Sequence, residues 1–139
     1  MWFFTKKWDV GLLAGYLFLV LAMTVLARAS GERGFELVPF WSWRKVFAKW
    51  PIPKWRLWLL YQNLLNIAMF IPIGYLFGRK MRRKAILIAT GFSLLIELIQ
   101  LFSLRGMLEI DDIIHNIAGA AIGYGLCLLL RRIRKNDVR

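Results

Sequence analysis

Four apolar blocks constrain this chain more than any other feature. Val10–Ala27 and Leu57–Gly78 carry no charge, Ala85–Leu104 carries only Glu97, and Ile113–Leu130 carries none with His115 neutral. Each block approaches the ~20 residues that a helix needs to cross a bilayer core. In a chain of 139 residues, four such spans leave no room for a second domain. The expected architecture is an all-α polytopic membrane protein, a four-transmembrane-helix bundle forming one domain over residues 1–139. The spans are expected at about 10–28, 57–78, 85–104 and 110–130, with an outer loop at about 29–56.

Charge then orients the bundle. The formal net charge is +12 with 59% apolar residues, a balance that suits a small membrane protein and not a soluble domain. The basic residues cluster at the ends of apolar blocks, where topology signals belong, so nucleic acid is not an expected partner. The turn Arg79-Lys80-Met81-Arg82-Arg83-Lys84 is short and strongly basic. Lys6 and Lys7 precede the first block, and Arg131, Arg132, Arg134, Lys135 and Arg139 follow the last. Placing these groups inside puts both termini in the cytoplasm, with twelve basic residues inside and eight outside. Ala27-Arg28-Ala29 has the form of a signal-peptidase site. The preceding apolar run exceeds the usual h-region of about 7–15 residues, so retention of the first helix is expected. Cys127 is the only cysteine, which excludes an intrachain disulfide.

Within the outer loop, Phe40, Trp43, Phe47 and Trp50 recur at helical spacing, with Arg44, Lys45 and Lys49 on another face and Pro51 and Pro53 beyond. This predicts a short interfacial helix over Ser42–Trp50, flanked by Trp55 and Trp58 of an aromatic belt. A plain interfacial anchor without chemical role is the favoured reading of that segment.

The apolar blocks carry a second pattern. Asn63, Asn66 and Phe70 follow one helical stripe of the second span. Thr90, Ser93, Glu97 and Gln100 do so on the third, and Asp112, Asn116, Gly119 and Gly123 on the fourth. At about 1.5 Å per residue, the polar members lie about 5–14 Å from the outer helix ends. Three helices thus present polar groups at one depth. Ionisable groups at such depth face a bundle interior or wet cavity and mark function. Gly119-x-x-x-Gly123 is expected to permit close helix approach, and Pro72 to bend the second span.

In order, Asn66-x-x-x-Phe70-x-Pro72-x-Gly74, Glu97-x-x-Gln100, Arg105 and Asp112-x-x-x-Asn116-x-x-Gly119-x-x-x-Gly123-Tyr124 resemble the VanZ-like family of small bacterial membrane proteins. Val38-Pro39-Phe40 is similar to a Pro-Phe element of that family's first outer loop, with Glu36 where the family often has asparagine. The resemblance covers nearly the whole chain past the first helix. It implies a bacterial cell membrane protein linked to glycopeptide resistance, chiefly toward teicoplanin-type lipidated antibiotics, without implying a reaction.

The ligand-binding candidates are Asn66, Glu97, Gln100, Arg105, Asp112 and Asn116. Three readings fit them. In the first, they form an outward-facing pocket that binds or modulates an envelope lipid or a lipid-linked cell-wall precursor. In the second, Glu97, Asp112 and His115 are the acid/base or cation-holding groups of a membrane-embedded hydrolase or transferase acting on a lipid-linked substrate. No H-E-x-x-H, phosphate loop or Cys–His pair supports that reading, and no cofactor is implied. In the third, the polar groups tie helices together, although each such bond contributes only about 0.6 kcal/mol. In the first reading Arg105 joins the hydrogen-bonded network, in the third it is the counter-ion, and one buried carboxylate is expected to pair with it. The sequence leaves the ligand, the reaction and the oligomeric state open.

Overall fold

A computed structural model describes residues 7–26, 34–49, 51–82 and 84–136, with side chains from residue 11 onward. The possible cleavage site at Ala27-Arg28-Ala29, the basic residues Lys6, Arg33, Arg83 and Arg139, and Trp50 lie outside the described residues.

The described chain is all-helical apart from one very short strand pair. Helix α1 is Lys7–Val25, α2 is Trp41–Phe47, α3 is Lys54–Met81, α4 is Lys84–Ser103 and α5 is Ile110–Asn136. Strands β1, Phe35–Glu36, and β2, Leu108–Glu109, pair in parallel, with Phe35 opposite Leu108 and Glu36 opposite Glu109. Helices α3, α4 and α5 are each long and apolar enough to cross a membrane, and α1 contributes the shorter apolar helix Gly11–Val25. The helix bounds of α3, α4 and α5 follow the apolar blocks closely. Helix α2 starts one residue earlier than its aromatic spacing predicts and ends at Phe47.

The surface has the character expected of lipid-facing helices. Leu12, Phe18, Leu87 and Phe102 are all at least 70% exposed. Apolar side chains on this scale are not left in water by a stable domain. The apolar core is correspondingly thin and is built on Val20, Phe70, Ile73, Ala89, Ile96 and Ala120.

Helices α3 and α5 form the closest pair in the bundle. A Cβ at Gly119 would overlap the Ile67 carbonyl, one at Gly123 would overlap that of Ile71, and one at Gly74 would overlap the backbone of Ala120. Small residues four apart bring two helices to backbone contact, which is the role expected of Gly119 and Gly123. Pro72 lies inside α3 without ending it. Its missing N–H removes a partner from the carbonyl one turn earlier. Next to that carbonyl, Met69 O accepts a hydrogen bond from the Tyr16 hydroxyl at 2.7 Å, which ties α1 to α3.

Helix α4 ends without glycine. Leu104 adopts a left-handed φ of 58°, and the Arg105 N–H donates back to the Gln100 carbonyl at 3.1 Å. This is a Schellman-type stop, in which a left-handed residue turns the chain out of the helix. Gly106 follows with φ 135°, a value that only glycine adopts readily. The turn delivers Leu108 and Glu109 to β1 and then starts α5.

Candidate functional site

Nearly all the buried polar side chains of the described chain lie on the facing surfaces of α2, α3, α4 and α5. They are Ser42, Asn63, Asn66, Ser93, Glu97, Gln100, Asp111, Asp112, His115 and Asn116. The stripes read from sequence are therefore interior stripes. Asn63, Asn66 and Phe70 are buried on α3, as are Ser93, Glu97 and Gln100 on α4 and Asp112, Asn116, Gly119 and Gly123 on α5.

The hydrogen bonds show which candidates meet. Asn66 Nδ2 donates to Asp112 Oδ1 at 2.7 Å, joining α3 to α5. Asn116 Nδ2 donates to Ser93 Oγ at 2.9 Å, joining α5 to α4. Glu97 Oε2 accepts the Glu109 N–H at 2.8 Å. That N–H opens α5, where helical N–H groups have no partner within the helix and a carboxylate is electrostatically favoured. Gln100 Nε2 instead turns toward α1 and donates to the Thr24 carbonyl at 2.8 Å. These bonds link α4 to the start of α5, α3 to α5, and α4 to α1 and α5. Arg105 itself is half-buried, and its backbone N–H supports the end of α4.

Gln100 Oε1, Asn116 Oδ1 and His115 Nδ1 are buried in this layer and form no hydrogen bond with any described residue. The geometry of the partners fixes the chemistry of two of them. Gln100 presents its amide nitrogen to a carbonyl, so its other atom is an acceptor. His115 Nε2 accepts the Trp43 Nε1–H at 2.6 Å, which places the proton of a neutral imidazole on Nδ1.

A second cluster was only partly legible. Asp111 is buried and points at α2. Its Oδ1 accepts the Phe40 N–H at 2.5 Å, and its Oδ2 accepts the Ser42 N–H at 2.9 Å and the Ser42 hydroxyl at 2.5 Å. Asn63 Nδ2 adds a bond to Ser42 Oγ at 3.0 Å. Helix α2 has Phe40 at its N-cap, in the left-handed region and without a capping side chain. Asp111 of α5 supplies that cap from across the fold. The sequence signal was the lack of any local cap at Phe40, since helix starts usually carry Ser, Thr, Asp or Asn there.

A family model described as VanZ/LLP1 matches residues 11–131. The chain belongs to the VanZ-like family. No curated protein matched it, and neither did any solved structure. In this VanZ-like protein, Asp112, Asn116, Gly119 and Gly123 divide between two tasks. The first two carry the polar pairs to α3 and α4, while the glycines set the approach of α5 to α3. Among the described residues, no three His, Cys, Asp or Glu side chains gather as a metal site would need. His115, the candidate base, has its accepting nitrogen engaged by Trp43.

Proposed function

We propose that this VanZ-like protein is a four-span bacterial membrane protein with both termini in the cytoplasm. Its polar layer, in the outer half of the membrane, binds or modulates an envelope lipid or a lipid-linked cell-wall component. Through that site it contributes to resistance to teicoplanin-type glycopeptides. Helix α2 lies at the outer interface and roofs the layer.

The observation that carries this reading is the polar interior itself. Glu97 and Asp112 are 1% and 6% exposed, on helices whose outer faces are apolar. Burying an ionised carboxylate costs several kcal/mol after relaxation, more than interhelical glue at ~0.6 kcal/mol repays. Such groups in a membrane interior mark a site by default. Gln100 Oε1 and Asn116 Oδ1 add buried acceptor capacity that no described residue uses.

The test is expression of wild type and of Glu97→Gln, Asp112→Asn and Arg105→Ala in a teicoplanin-susceptible host. Wild type should raise the tolerated teicoplanin concentration. Each variant should lose the protection while remaining in the membrane at normal level. Variants that accumulate normally and protect as well as wild type would show that the layer is structural.

A further inference from the structure

We infer that a cleft at the basic end of the bundle seats the headgroup of an anionic phospholipid, with the phosphate against Arg82 and Lys84 and an acyl chain along Leu128. This site is separate from the polar layer and lies at the other end of α5.

The turn from α3 to α4 and the later part of α5 border a cleft of about 590 Å³. That volume falls within the roughly 300–1,000 Å³ of small-molecule sites. Met81, Arg82, Lys84, Tyr124 and Leu128 line it. The lining divides by chemistry. Arg82 and Lys84 are exposed cations, whereas Met81, Leu128 and the Tyr124 ring offer apolar surface.

The backbone around the cleft also suits an anion. Helix α3 ends here, and its last carbonyls carry the negative end of the helix dipole. Two carbonyls near that end, those of Gly78 and Arg79, accept hydrogen bonds from Arg131 Nη2 at 3.1 and 2.5 Å, which places a cation on them. Helix α4 starts at Lys84, so the positive end of its dipole faces the same turn. Arg82 links the two helices with a left-handed φ of 54°, where glycine is the low-cost residue. An arginine at this position keeps its guanidinium at the rim.

Charge is segregated along the molecule. The carboxylates among the described side chains are Glu36, Glu97, Glu109, Asp111 and Asp112. All five lie toward the end where α4 stops and α5 starts. Asp112 is twelve residues before Tyr124, about 18 Å along the helix. No described carboxylate therefore balances Arg82 and Lys84, and a bound anion supplies that charge. The apolar wall selects the kind of anion. Leu126, Leu128, Leu129 and Leu130 are exposed and continue the wall along α5, as acyl chains require. An inorganic anion meets only the basic rim, and a zwitterionic headgroup brings no net charge.

The test uses the full-length protein purified in detergent and equilibrated with dioleoyl phosphatidylglycerol or dioleoyl phosphatidylcholine. Retained lipid is read by native mass spectrometry in about 0.15 M ammonium acetate, where charges beyond about 8 Å are screened. Each basic group beside an anionic headgroup corresponds to about fivefold in affinity. Wild type should retain phosphatidylglycerol over phosphatidylcholine by at least about tenfold. Arg82→Gln and Lys84→Gln should each reduce that preference about fivefold. Arg134→Gln, on another face of α5, and Lys49→Gln, at the opposite end of the bundle, remove the same charge and should change it by less than about twofold.

Equal retention of the two lipids by wild type overturns the inference, even if Arg82→Gln does not fold. Equal losses in Lys84→Gln, Arg134→Gln and Lys49→Gln also overturn it, because diffuse charge then explains the preference. Displacement of phosphatidylglycerol by inorganic phosphate at similar concentration overturns the lipid assignment and identifies a soluble anion as the occupant. None of these outcomes bears on the polar layer, whose variants are read by teicoplanin tolerance.

Discussion

The Asp111 carboxylate on α5 accepts both the backbone N–H and the hydroxyl of Ser42 on α2. The two residues are 69 positions apart, so the contact exists only when the segment carrying α2 is folded back over the bundle. It gives α2 the N-terminal cap that Phe40 cannot provide. A seven-residue helix is far too short to hold itself together in isolation. Its order depends on this bond set, on Val46 buried beneath it, and on the Trp43–His115 contact.

Asp111→Ala should therefore release α2 specifically. Hydrogen exchange across residues 41–47 should rise to that of an open loop, while α4 and α5 remain protected. The loss should be about 2–4 kcal/mol, because three bonds to one buried charge vanish together. Asn at the same position keeps one acceptor and should fall between the two. Unchanged exchange in Asp111→Ala would show that apolar contacts alone seat the helix.

The Trp43–His115 bond should make an independent contribution. Trp43→Phe and His115→Phe each remove one partner. The double variant should recover about 1 kcal/mol relative to the sum of the single effects. Thermal melts in detergent would measure this cycle. Additive losses would show that the 2.6 Å contact is energetically silent.

The legible and illegible parts of this fold differ in a physical way. Polar stripes at helical spacing were visible because α3, α4 and α5 each bury one face within a single continuous helix. Glu97, Gln100, Asp112 and Asn116 are on those faces, and local periodicity is enough to place them. Partner choice was not visible. Gln100 bonds to α1, and Glu97 bonds to the first turn toward α5, because the turn after α4 sets the register of that approach. The role of the Arg105 backbone N–H in the Schellman turn was not legible either, because no local sequence signal such as glycine marks that turn at Leu104. Asp111 and Ser42 carried no periodic signal, since their contact depends on where a loop returns. The β1–β2 pair, two residues per strand, is likewise set by tertiary position and not by propensity.

The glycines provide a graded test of the α3–α5 interface. Gly119→Ala and Gly123→Ala would drive a methyl group into the backbone of α3. Backbone cannot move aside as a side-chain tip can, so each should lose about 3 kcal/mol or fail to accumulate. Gly91 and Gly125 have nothing within 4 Å of an added Cβ. Alanine there should be neutral or stabilising by up to about 1 kcal/mol. Gly78, in the last turn of α3, is buried with the Tyr124 ring 2.8 Å from an added Cβ. Gly78→Ala should be intermediate, and Gly125→Ala is the better silent control. Detergent melting temperatures ranked in any other order would contradict the packing.

The orientation rests on short loops and can be tested by labelling. The turn between α3 and α4 carries Arg79, Lys80, Arg82, Arg83 and Lys84, and positive charge near span ends is retained in the cytoplasm. Arg131 from the end of α5 adds hydrogen bonds to the Gly78 and Arg79 carbonyls, so both basic segments converge at that end of the bundle. Helix α2 is at the opposite end, bonded to the start of α5. In a Cys127→Ser background, Met81→Cys and Lys49→Cys occupy exposed positions at the two ends. An impermeant maleimide applied to intact cells should label residue 49 and not residue 81. After permeabilisation both should react. Labelling of residue 81 in intact cells would invert the topology and move the polar layer to the cytoplasmic half, where a site for an outer envelope component would lose its access.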